Sequence, residues 1–153
     1  MVATGFGNPS NVVEAINMAD STASCNSLPP YPMDVRLANG IMINGVQIIA
    51  GGYASNSIST SKLSEVYKLD YNGNSWVLLG NMAVPRSSLA VAELNGGAWA
   101  MGGFSPPSFL PQSSTEIIHT DGTILDGPDL PEPRVRHCAV TLPNGNVVIM
   151  GGR

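Results

Sequence analysis

Charge is scarce in this chain, and so are the residues that build metal centres and disulfide frameworks. Only 12% of its 153 residues are charged, and it contains two cysteines and two histidines. A helix bundle or coiled coil would need far more Glu, Lys and Arg on its exposed faces. The formal charge of −4 supplies no basic patch for phosphates, so no nucleic-acid partner is expected. No apolar run approaches the roughly 20 residues of a membrane-spanning helix, so no membrane span is expected either.

Apolar residues and turn formers are abundant instead. Hydrophobic residues make up 43% of the chain, which also has 17 glycines and 12 prolines. This balance argues against intrinsic disorder, which combines high net charge with few apolar residues. It is typical of a protein built from short strands that are separated by turns.

One stretch of sequence occurs three times. Each copy begins with Asn-Gly, continues with a short apolar run and closes on two glycines: NGVQIIAGGY (44–53), NGGAWAMGGF (95–104) and NGNVVIMGGR (144–153). The copies follow one another at about 50 residues, a period that indicates one four-stranded propeller blade per repeat. We therefore treat 1–153 as a single region with repeats at approximately 5–52, 53–103 and 104–153.

Turn chemistry predicts an all-β fold for each repeat. Asn-Gly between two apolar runs favours a type I′ hairpin, because both central residues need a positive φ. It would join an inner strand, at 36–43, 88–94 and 136–142 in the three repeats, to a second strand that ends at the glycine pair. Proline-rich segments lead to the next repeat, where no strand ladder requires the missing N–H. No segment shows a sustained period of 3.6 residues, so no helix is predicted.

Three glycine pairs, Tyr67 and Trp76 carry a resemblance to the kelch repeat. In that family a glycine pair closes the second strand, and a Tyr and then a Trp follow it. The glycine pairs are Gly51-Gly52, Gly102-Gly103 and Gly151-Gly152, and the middle copy has the whole set. The resemblance covers essentially the whole chain and implies a kelch-type β-propeller. The segments around Cys25 and residues 127–131 also resemble secreted invertebrate kelch proteins, which implies an extracellular location.

The repeats are out of phase with whole blades. The chain starts just after a second strand and stops at the equivalent glycine pair, so we expect a half-blade, two full blades and another half-blade. Propellers close with about four to eight blades, and this arc of about three blades would belong to a roughly six-bladed ring. Either the chain is a fragment of a longer polypeptide, or two copies join head to tail as a homo-oligomer. The sequence is compatible with both.

Glutamates recur with the repeats at one apparent place on the third strand. They are Glu14, Glu65 and Glu116. A ring of carboxylates for metal or acid–base chemistry is one interpretation. Equivalent sites on successive blades diverge around a ring, however, so the spacing favours structural acceptors for backbone N–H groups or for a neighbouring Arg.

Arginines recur near the start of each inner strand. They are Arg36, Arg86 and, depending on the register, Arg134 or Arg136. One interpretation is that they pair with the glutamates or with loop carbonyls. The other is that Arg36, Arg86 and Arg136 form a positive rim at the mouth of the central channel, which would bind an acidic ligand through bidentate contacts.

Residues outside the repeat pattern add further candidates. His137 follows Arg136 at the start of an inner strand, where propellers place ligands of the channel mouth. Two long polar loops are predicted at 54–61 and 105–114, and the second contains an apolar pair, Phe109 and Leu110, as a candidate contact for a partner. No Ser/His/Asp arrangement, phosphate loop or zinc-type spacing is present, so we predict no catalytic residue, no metal and no cofactor.

The two cysteines are Cys25 and Cys138, about two repeats apart. That separation is too large for a disulfide within one arc. In a head-to-tail ring both cysteines would fall in the same shared blade, so an intermolecular disulfide is one hypothesis. The other hypothesis is that both are buried free thiols.

The sequence favours a non-enzymatic scaffold. Variable polar loops on a rigid repeated framework are suited to binding another protein, and open blade edges are suited to self-assembly. The alternative is a fragment of a propeller enzyme, because kelch-type propellers also resemble the catalytic domain of copper radical oxidases and certain sugar-acid isomerases. Enzyme activity is left open.

Overall fold

The computed structural model describes residues 2–3, 11–16, 25–56, 59–108 and 110–153. In chain order the strands are β1 (Val2–Ala3), β2 (Val13–Ile16), β3 (Cys25–Ser27), β4 (Val35–Arg36), β5 (Asn39–Ile43), β6 (Val46–Ala50), β7 (Tyr53–Asn56), β8 (Ser59–Lys62), β9 (Glu65–Asp70), β10 (Ser75–Asn81), β11 (Ala90–Leu94), β12 (Gly97–Met101), β13 (Phe104–Ser105), β14 (Leu110–Pro111), β15 (Thr115–Ile118), β16 (Ile124–Asp126), β17 (Cys138–Thr141) and β18 (Val147–Met150). The described segments contain no helix long and apolar enough to cross a membrane. The protein is all-β over these segments, as predicted.

Two antiparallel four-stranded sheets lie at the centre of the described chain. The first blade has the strand order β5-β6-β9-β10, and the second blade has the order β11-β12-β15-β16. The predicted Asn-Gly turns join the first two strands of each blade. Both residues of each turn have a positive φ, 49° and 78° at Asn44 and Gly45, and 51° and 75° at Asn95 and Gly96. These angles are those of a type I′ hairpin.

The third Asn-Gly turn differs from the prediction. β17 ends at Thr141 and β18 begins at Val147, and the Leu142 N–H donates to the Asn146 carbonyl oxygen at 2.7 Å. In the other two hairpins the residue before the Asn pairs with the residue after the Gly. Here the residue before the Asn is Pro143, which has no N–H to donate, so the loop is longer.

A partial sheet flanks the two blades on each side. Strands β1, β2 and β3 form the N-terminal half-blade, and β17 and β18 form the C-terminal hairpin. Among the described residues, the outer edge of β18 has no partner strand. Over the described part of the chain, this strand order is compatible with the expected half-blade, two full blades and second half-blade.

The core lies between successive sheets, because each sheet packs a face against the next one. One cluster joins the N-terminal half-blade to the first blade, a second joins the two blades, and a third joins the second blade to the C-terminal hairpin. Representative members are Val13, Ile49 and Trp76 in the first, Ile48, Val91 and Ile118 in the second, and Trp99, Met101 and Ile149 in the third. The inner strands stack directly, since β11 packs against both β5 and β17.

The inner strands begin two or three residues later than predicted, because a left-handed residue precedes each of them. Leu37, Ser88 and Arg136 have φ values of 60°, 57° and 55°. The Ser88 N–H donates to the Leu37 carbonyl oxygen at 3.0 Å, and the Arg136 N–H donates to the Ser88 carbonyl oxygen at 2.9 Å. We call this run of backbone hydrogen bonds, which crosses from sheet to sheet, the inner ladder.

The glycine pairs form the backbone contact between one blade and the next. Gly51 has a φ of 64°, and a Cβ atom there would overlap the carbonyl oxygen of Arg86. The Gly52 N–H donates to that same oxygen at 2.8 Å. Gly102-Gly103 make the same contacts with the Arg134 carbonyl. Larger residues would therefore separate the blades.

The two predicted polar loops are small hairpins. β7 pairs with β8 in the region of the first predicted loop, and β13 pairs with β14 in the region of the second. β7 pairs with β4 through Tyr53 and Arg36, and Phe104 forms the corresponding bridge to Ser87. Both hairpins therefore lie beside the inner ladder.

Candidate functional site

A pocket of about 260 Å³ lies at the inner ladder, where three successive sheets meet. The residues that line it are Arg36, Leu37, Tyr53, Ser87, Ser88, Phe104 and Arg136. We call it the mouth pocket. It brings together Arg36 and Arg136, two of the residues predicted to bind a ligand, and none of its lining residues is acidic. The pocket is therefore positively charged in a chain of net charge −4.

Arg36 is oriented by an aromatic ring. Its guanidinium carbon lies 4.7 Å from the centre of the Tyr53 ring, and the two residues are directly paired between β4 and β7. Such a cation–π contact is worth about 0.5–1 kcal/mol at an exposed site. Arg36 is only partly buried, so Tyr53 holds it in place while part of the guanidinium still faces the pocket.

Ser88 and Arg136 are positioned by the inner ladder itself. Ser88 is buried, and its Oγ has no hydrogen-bond partner among the described residues. A buried polar atom without a partner costs about 1–3 kcal/mol, so a ligand atom that bonds to this hydroxyl would be favoured. Arg136 is exposed and can offer its guanidinium to the same ligand.

A larger hollow of about 470 Å³ lies at the opposite end of the first blade, near the β5–β6 and β9–β10 turns. Its lining includes Lys68 and Asp70. Because these two charges offset each other, the hollow has no net charge to select a ligand. The smaller mouth pocket is the better candidate site.

Arg86 does not reach the mouth pocket. Its side chain is fully buried, with Nη2 3.2 Å from Glu116 Oε1, and Nη1 donates to the carbonyl oxygens of Gly102 and Ser114 at 2.9 and 2.7 Å. Burial lowers the pKa of the guanidinium, and the Glu116 carboxylate opposes that shift. The expectation that Arg86 lines the mouth is corrected: its donors are used inside the blade, in the structural role that the sequence also allowed.

Glu116 is the centre of this buried network. It is 2% exposed, and its carboxylate accepts hydrogen bonds from the N–H groups of Ala83 and Val84 at 2.7 and 3.1 Å. Together with Arg86 these contacts connect β15 to the segment that leads into β11. Glu116 therefore joins the third strand of the second blade to the entry of its first strand.

Glu65 does not occupy the same place as Glu116, although their spacing in the sequence suggested it. Glu116 lies opposite Ala100 in the second blade, and the residue at that position in the first blade is Tyr67, opposite Ile49. The β7–β8 hairpin is longer than the β13–β14 segment, which shifts the apparent register of the third strand. The three glutamates are thus not a periodic ring.

His137 is a core residue and does not line the mouth pocket. It is 5% exposed, and neither ring nitrogen has a hydrogen-bond partner among the described residues. It follows Arg136 as Leu89 follows Ser88, and Leu89 is also buried. Burial lowers the pKa of His137, and the charge of Arg134 lowers it further. The expectation that His137 binds a ligand at the mouth is therefore corrected.

Of the predicted apolar loop pair, Leu110 is 61% exposed on β14. Phe109 lies outside the described residues. Leu110 is accessible to a partner, but it does not line the mouth pocket. It stays a separate candidate contact.

Both cysteines are free and exposed, on β3 and β17. Desolvation and the neighbouring Glu14 carboxylate raise the pKa of the Cys25 thiol. In a completed blade β17 would be the first strand and β3 the fourth, about 14 Å apart at three strand spacings. A disulfide needs Cα atoms within about 7 Å. The strand order therefore argues against the hypothesis of a Cys25–Cys138 bond, and the exposure argues against buried thiols.

The sequence did not single out Tyr31, which completes an aromatic cluster with the kelch-type Tyr67 and Trp76. The Tyr31 ring makes edge-on contacts with both, at 5.3 Å between centroids, and the Trp76 Nε1–H donates to the Pro29 carbonyl oxygen at 2.9 Å. Burial, foremost, raises the pKa of Tyr31. Its place before the inner strand, in a proline-rich segment, gave no periodic signal.

The described residues contain no group of three or more His, Cys, Asp and Glu that could hold a metal ion. The mouth pocket instead offers two guanidinium groups, the hydroxyl groups of Ser87, Ser88 and Tyr53, and two aromatic rings. This set of groups can bind a carboxylate and pack against an apolar neighbour of that carboxylate.

No family model matches the chain. Two F-box/kelch-repeat proteins are similar to it. The chain is 31% identical over 90 residues to a putative F-box/kelch-repeat protein of Arabidopsis thaliana. The aligned region is 54% of this chain and 26% of the relative. A second F-box/kelch-repeat protein of the same plant is 29% identical over 132 residues, or 84% of this chain and 34% of the relative. The chain thus spans about a quarter to a third of the length of these relatives.

The fold is similar to that of a solved structure, that of YjhT, a kelch-type propeller. The TM-score is 0.70, with 12% sequence identity over 89% of this chain and 55% of YjhT. At this identity the likeness concerns the fold alone. The fold expected from the repeats is nevertheless the one that the comparison gives.

Proposed function

We propose that this chain, which belongs to the kelch-repeat β-propeller family, is a non-enzymatic scaffold that binds an acidic segment of another protein at the mouth pocket. The observation that carries the proposal is the meeting of Arg36 and Arg136 in one pocket that has no acidic lining residue. Charge-assisted hydrogen bonds from Arg to a carboxylate are among the stronger contacts available to a protein. The unbonded Ser88 hydroxyl lies between them in the chain and adds a third polar contact.

The test is binding of a short polyglutamate peptide, measured by fluorescence anisotropy at low salt. We expect Arg36→Ala and Arg136→Ala each to lower the affinity at least about tenfold, because each removes a charge-assisted hydrogen bond of about 1.5–3 kcal/mol. Lys68→Ala is the matched control, since Lys68 is a cation at the opposite end of the first blade. Equal binding by polyglutamine, or no difference among the three variants, would contradict the proposal.

Self-assembly is a second candidate function, and a different observation favours it. The outer edge of β18 has no partner strand among the described residues, and one face of the C-terminal hairpin is apolar and exposed. Val140, Leu142 and Met150 on this face are 46%, 38% and 51% exposed. An open strand edge with an apolar face is a template for a further chain. Two copies joined at both ends would supply the roughly six blades of a closed ring.

A further inference from the structure

We propose that Arg134 of one copy forms an ion pair with Glu14 of a second copy, in a blade that the two copies share. β18 of the first copy would pair with β2 of the second. This inference rests on the proposed self-assembly. It adds the two residues that would fix how β18 of one copy aligns with β2 of the other.

Glu14 occupies the position on β2 that Glu116 occupies on β15. Each follows a strand residue whose carbonyl oxygen accepts a hydrogen bond from the segment that leaves the outermost strand. These bonds are Leu28 N–H to Val13 at 2.9 Å and Gly127 N–H to Thr115 at 3.0 Å. Edge pairing gives the same register, since Glu14 lies opposite Val2 and Glu116 lies opposite Ala100.

Arg134 occupies the position of Arg86. The carbonyl oxygens of both accept a bond from a glycine pair of the preceding sheet, as described above. Their side chains also begin the same network: Arg86 Nη1 donates to the Gly102 carbonyl oxygen at 2.9 Å, and Arg134 Nη1 donates to the Gly151 carbonyl oxygen at 2.9 Å. Arg134 thus already has the orientation that Arg86 uses to reach Glu116.

The two positions change together from blade to blade. In the first blade the residue at the arginine position is Val35 and the residue at the glutamate position is Tyr67, both in one apolar cluster. In the second blade the residues are Arg86 and Glu116, an ion pair. The interrupted blade has a cation at one position on the C-terminal hairpin side and a carboxylate at the other, on β2. The match predicts that these two partial sheets belong together.

Neither residue has this partner within one copy. Arg134 is 34% exposed and lies 3.8 Å from Glu132, which is 76% exposed. Exposed pairs of this kind contribute about 0–1 kcal/mol, so Arg134 can exchange Glu132 for another partner at little cost. Glu14 is exposed. One donor of the Glu116 site would be missing in the shared blade, because Pro131 stands in the place of Ala83.

Strand β1 shows how β18 would pair with β2. β1 has two residues and pairs through Val2 with Glu14 and through Ala3 with Val13. In the second blade the last residues of β12 make the same pairs with β15. Ile149 and Met150 of a second copy would therefore replace Val2 and Ala3. β18 has four residues, enough to pair with the whole of four-residue β2.

Shared blades would also cover apolar surface that is exposed in one copy. Val12, just before β2, and Ile16, on β2, are 56% and 40% exposed. They would face the second blade of the copy that provides the hairpin. Val140 and Met150 would face the first blade of the other copy. Charge complementarity, strand register and apolar burial thus all select a second copy of this chain.

The test is a mixing experiment on two charge-reversed chains, followed by light scattering after size exclusion. We expect the unmodified chain to have twice its own mass of 15.9 kDa. Arg134→Glu or Glu14→Arg alone should raise the dimer dissociation constant at least about 100-fold, because each leaves like charges in a buried site. Mixed together, the two variants should form a one-to-one dimer, since both junctions then have opposite charges.

Matched controls separate this pair from general charge effects. Lys68→Glu and Glu93→Arg make the same charge changes outside the proposed ion pair, Lys68 at the far end of the first blade and Glu93 at an exposed position, and should leave the dimer intact. A dimer that survives both single reversals at Arg134 and Glu14 would overturn the ion pair and leave self-assembly standing. An unmodified chain that stays monomeric would overturn both, and would fit outer strands supplied by a longer polypeptide. Circular dichroism of each variant confirms that the sheets remain folded.

Discussion

At the scale of single residues, the structure separates two kinds of arginine that look alike in the sequence. Arg86 is buried with its donors used, and Arg36 and Arg136 face a pocket. The difference follows from depth: the buried guanidinium of Arg86 has a carboxylate and carbonyl oxygens around it, whereas Arg36 is partly buried and Arg136 is exposed. Exposure at a pocket therefore distinguishes the binding candidates from the structural arginine.

Removal of the charge from Glu116 gives the first prediction at this scale. Glu116→Gln should lower the free energy of unfolding by about 3 kcal/mol, because the charge of Arg86 would stay buried without its counter-ion. Urea denaturation followed by tryptophan fluorescence measures the change. Glu65→Gln is the matched control, because Glu65 is only partly buried and its expected loss is below about 1 kcal/mol. A loss for Glu116→Gln as small as that of the control would contradict the proposed role of the buried pair.

The sequence did not show which arginine and which glutamate occupy equivalent positions in successive blades. The spacing of Glu65 and Glu116 suggested one shared position, but hairpins of different length precede the two third strands. Likewise Val35, not Arg36, is the counterpart of Arg86. The same residue type can recur at a regular spacing in the sequence, whereas the place of a residue in its blade is set by the backbone hydrogen bonds of its strand. A shift of one or two residues reverses which face a strand residue occupies.

At the scale of elements, turn chemistry predicted most of the hairpins. Asn44-Gly45 and Asn95-Gly96 form the expected turns because their neighbours supply the N–H and carbonyl groups that a two-residue loop needs. The third turn failed for a reason that is visible in the sequence, since Pro143 removes one of those donors. The start of each inner strand was not predictable in this way, because Leu37, Ser88 and Arg136 are not residues that usually adopt a positive φ.

The folded chain should become less stable in mild acid because of His137. The pKa of His137 is lowered in the folded chain, so the unfolded chain takes up a proton first as the pH falls below about 6.5. The free energy of unfolding should then decrease, at most by about 1.4 kcal/mol per pH unit for one proton, until the pH falls below the folded-state pKa. Urea denaturation at pH 7.5 and 5.5 measures this decrease.

His137→Leu should remove most of that pH dependence, because the equivalent residue in the second blade is the buried Leu89. His119→Gln should retain it, since His119 lies outside the contact between the second blade and the C-terminal hairpin, at the end of β15. Retention of the full pH dependence in His137→Leu would assign the effect to other groups.

At the scale of the whole molecule, repetition made the architecture predictable and left the site unresolved. Three copies of one motif were enough to predict two full blades between two partial ones. The mouth pocket depends on how adjacent sheets rotate about each other, which places Arg36 and Arg136 from non-adjacent sheets on one pocket. The sequence repeat does not show that Arg36 and Arg136 lie close together.

Assembly of this molecule should not involve a disulfide. Both cysteines are exposed and free, and their strands would be the first and fourth of a shared blade. We expect a native thiol assay to find two reactive thiols per chain, with Cys25 reacting more slowly near neutral pH because its raised pKa leaves less thiolate. A dimer band on a non-reducing gel that disappears with reductant would contradict this expectation.

The inner ladder has a consequence for how such a molecule can change over evolutionary time. Its hydrogen bonds use only the backbone atoms of Leu37, Ser88 and Arg136, so their side chains carry no share of that connection. If the pocket binds as proposed, substitutions there would alter what it binds while the sheets stay joined, within the limits that a positive φ sets on branched residues. Specificity is thus separable from architecture at these three positions, which makes them the natural sites to vary in redesign.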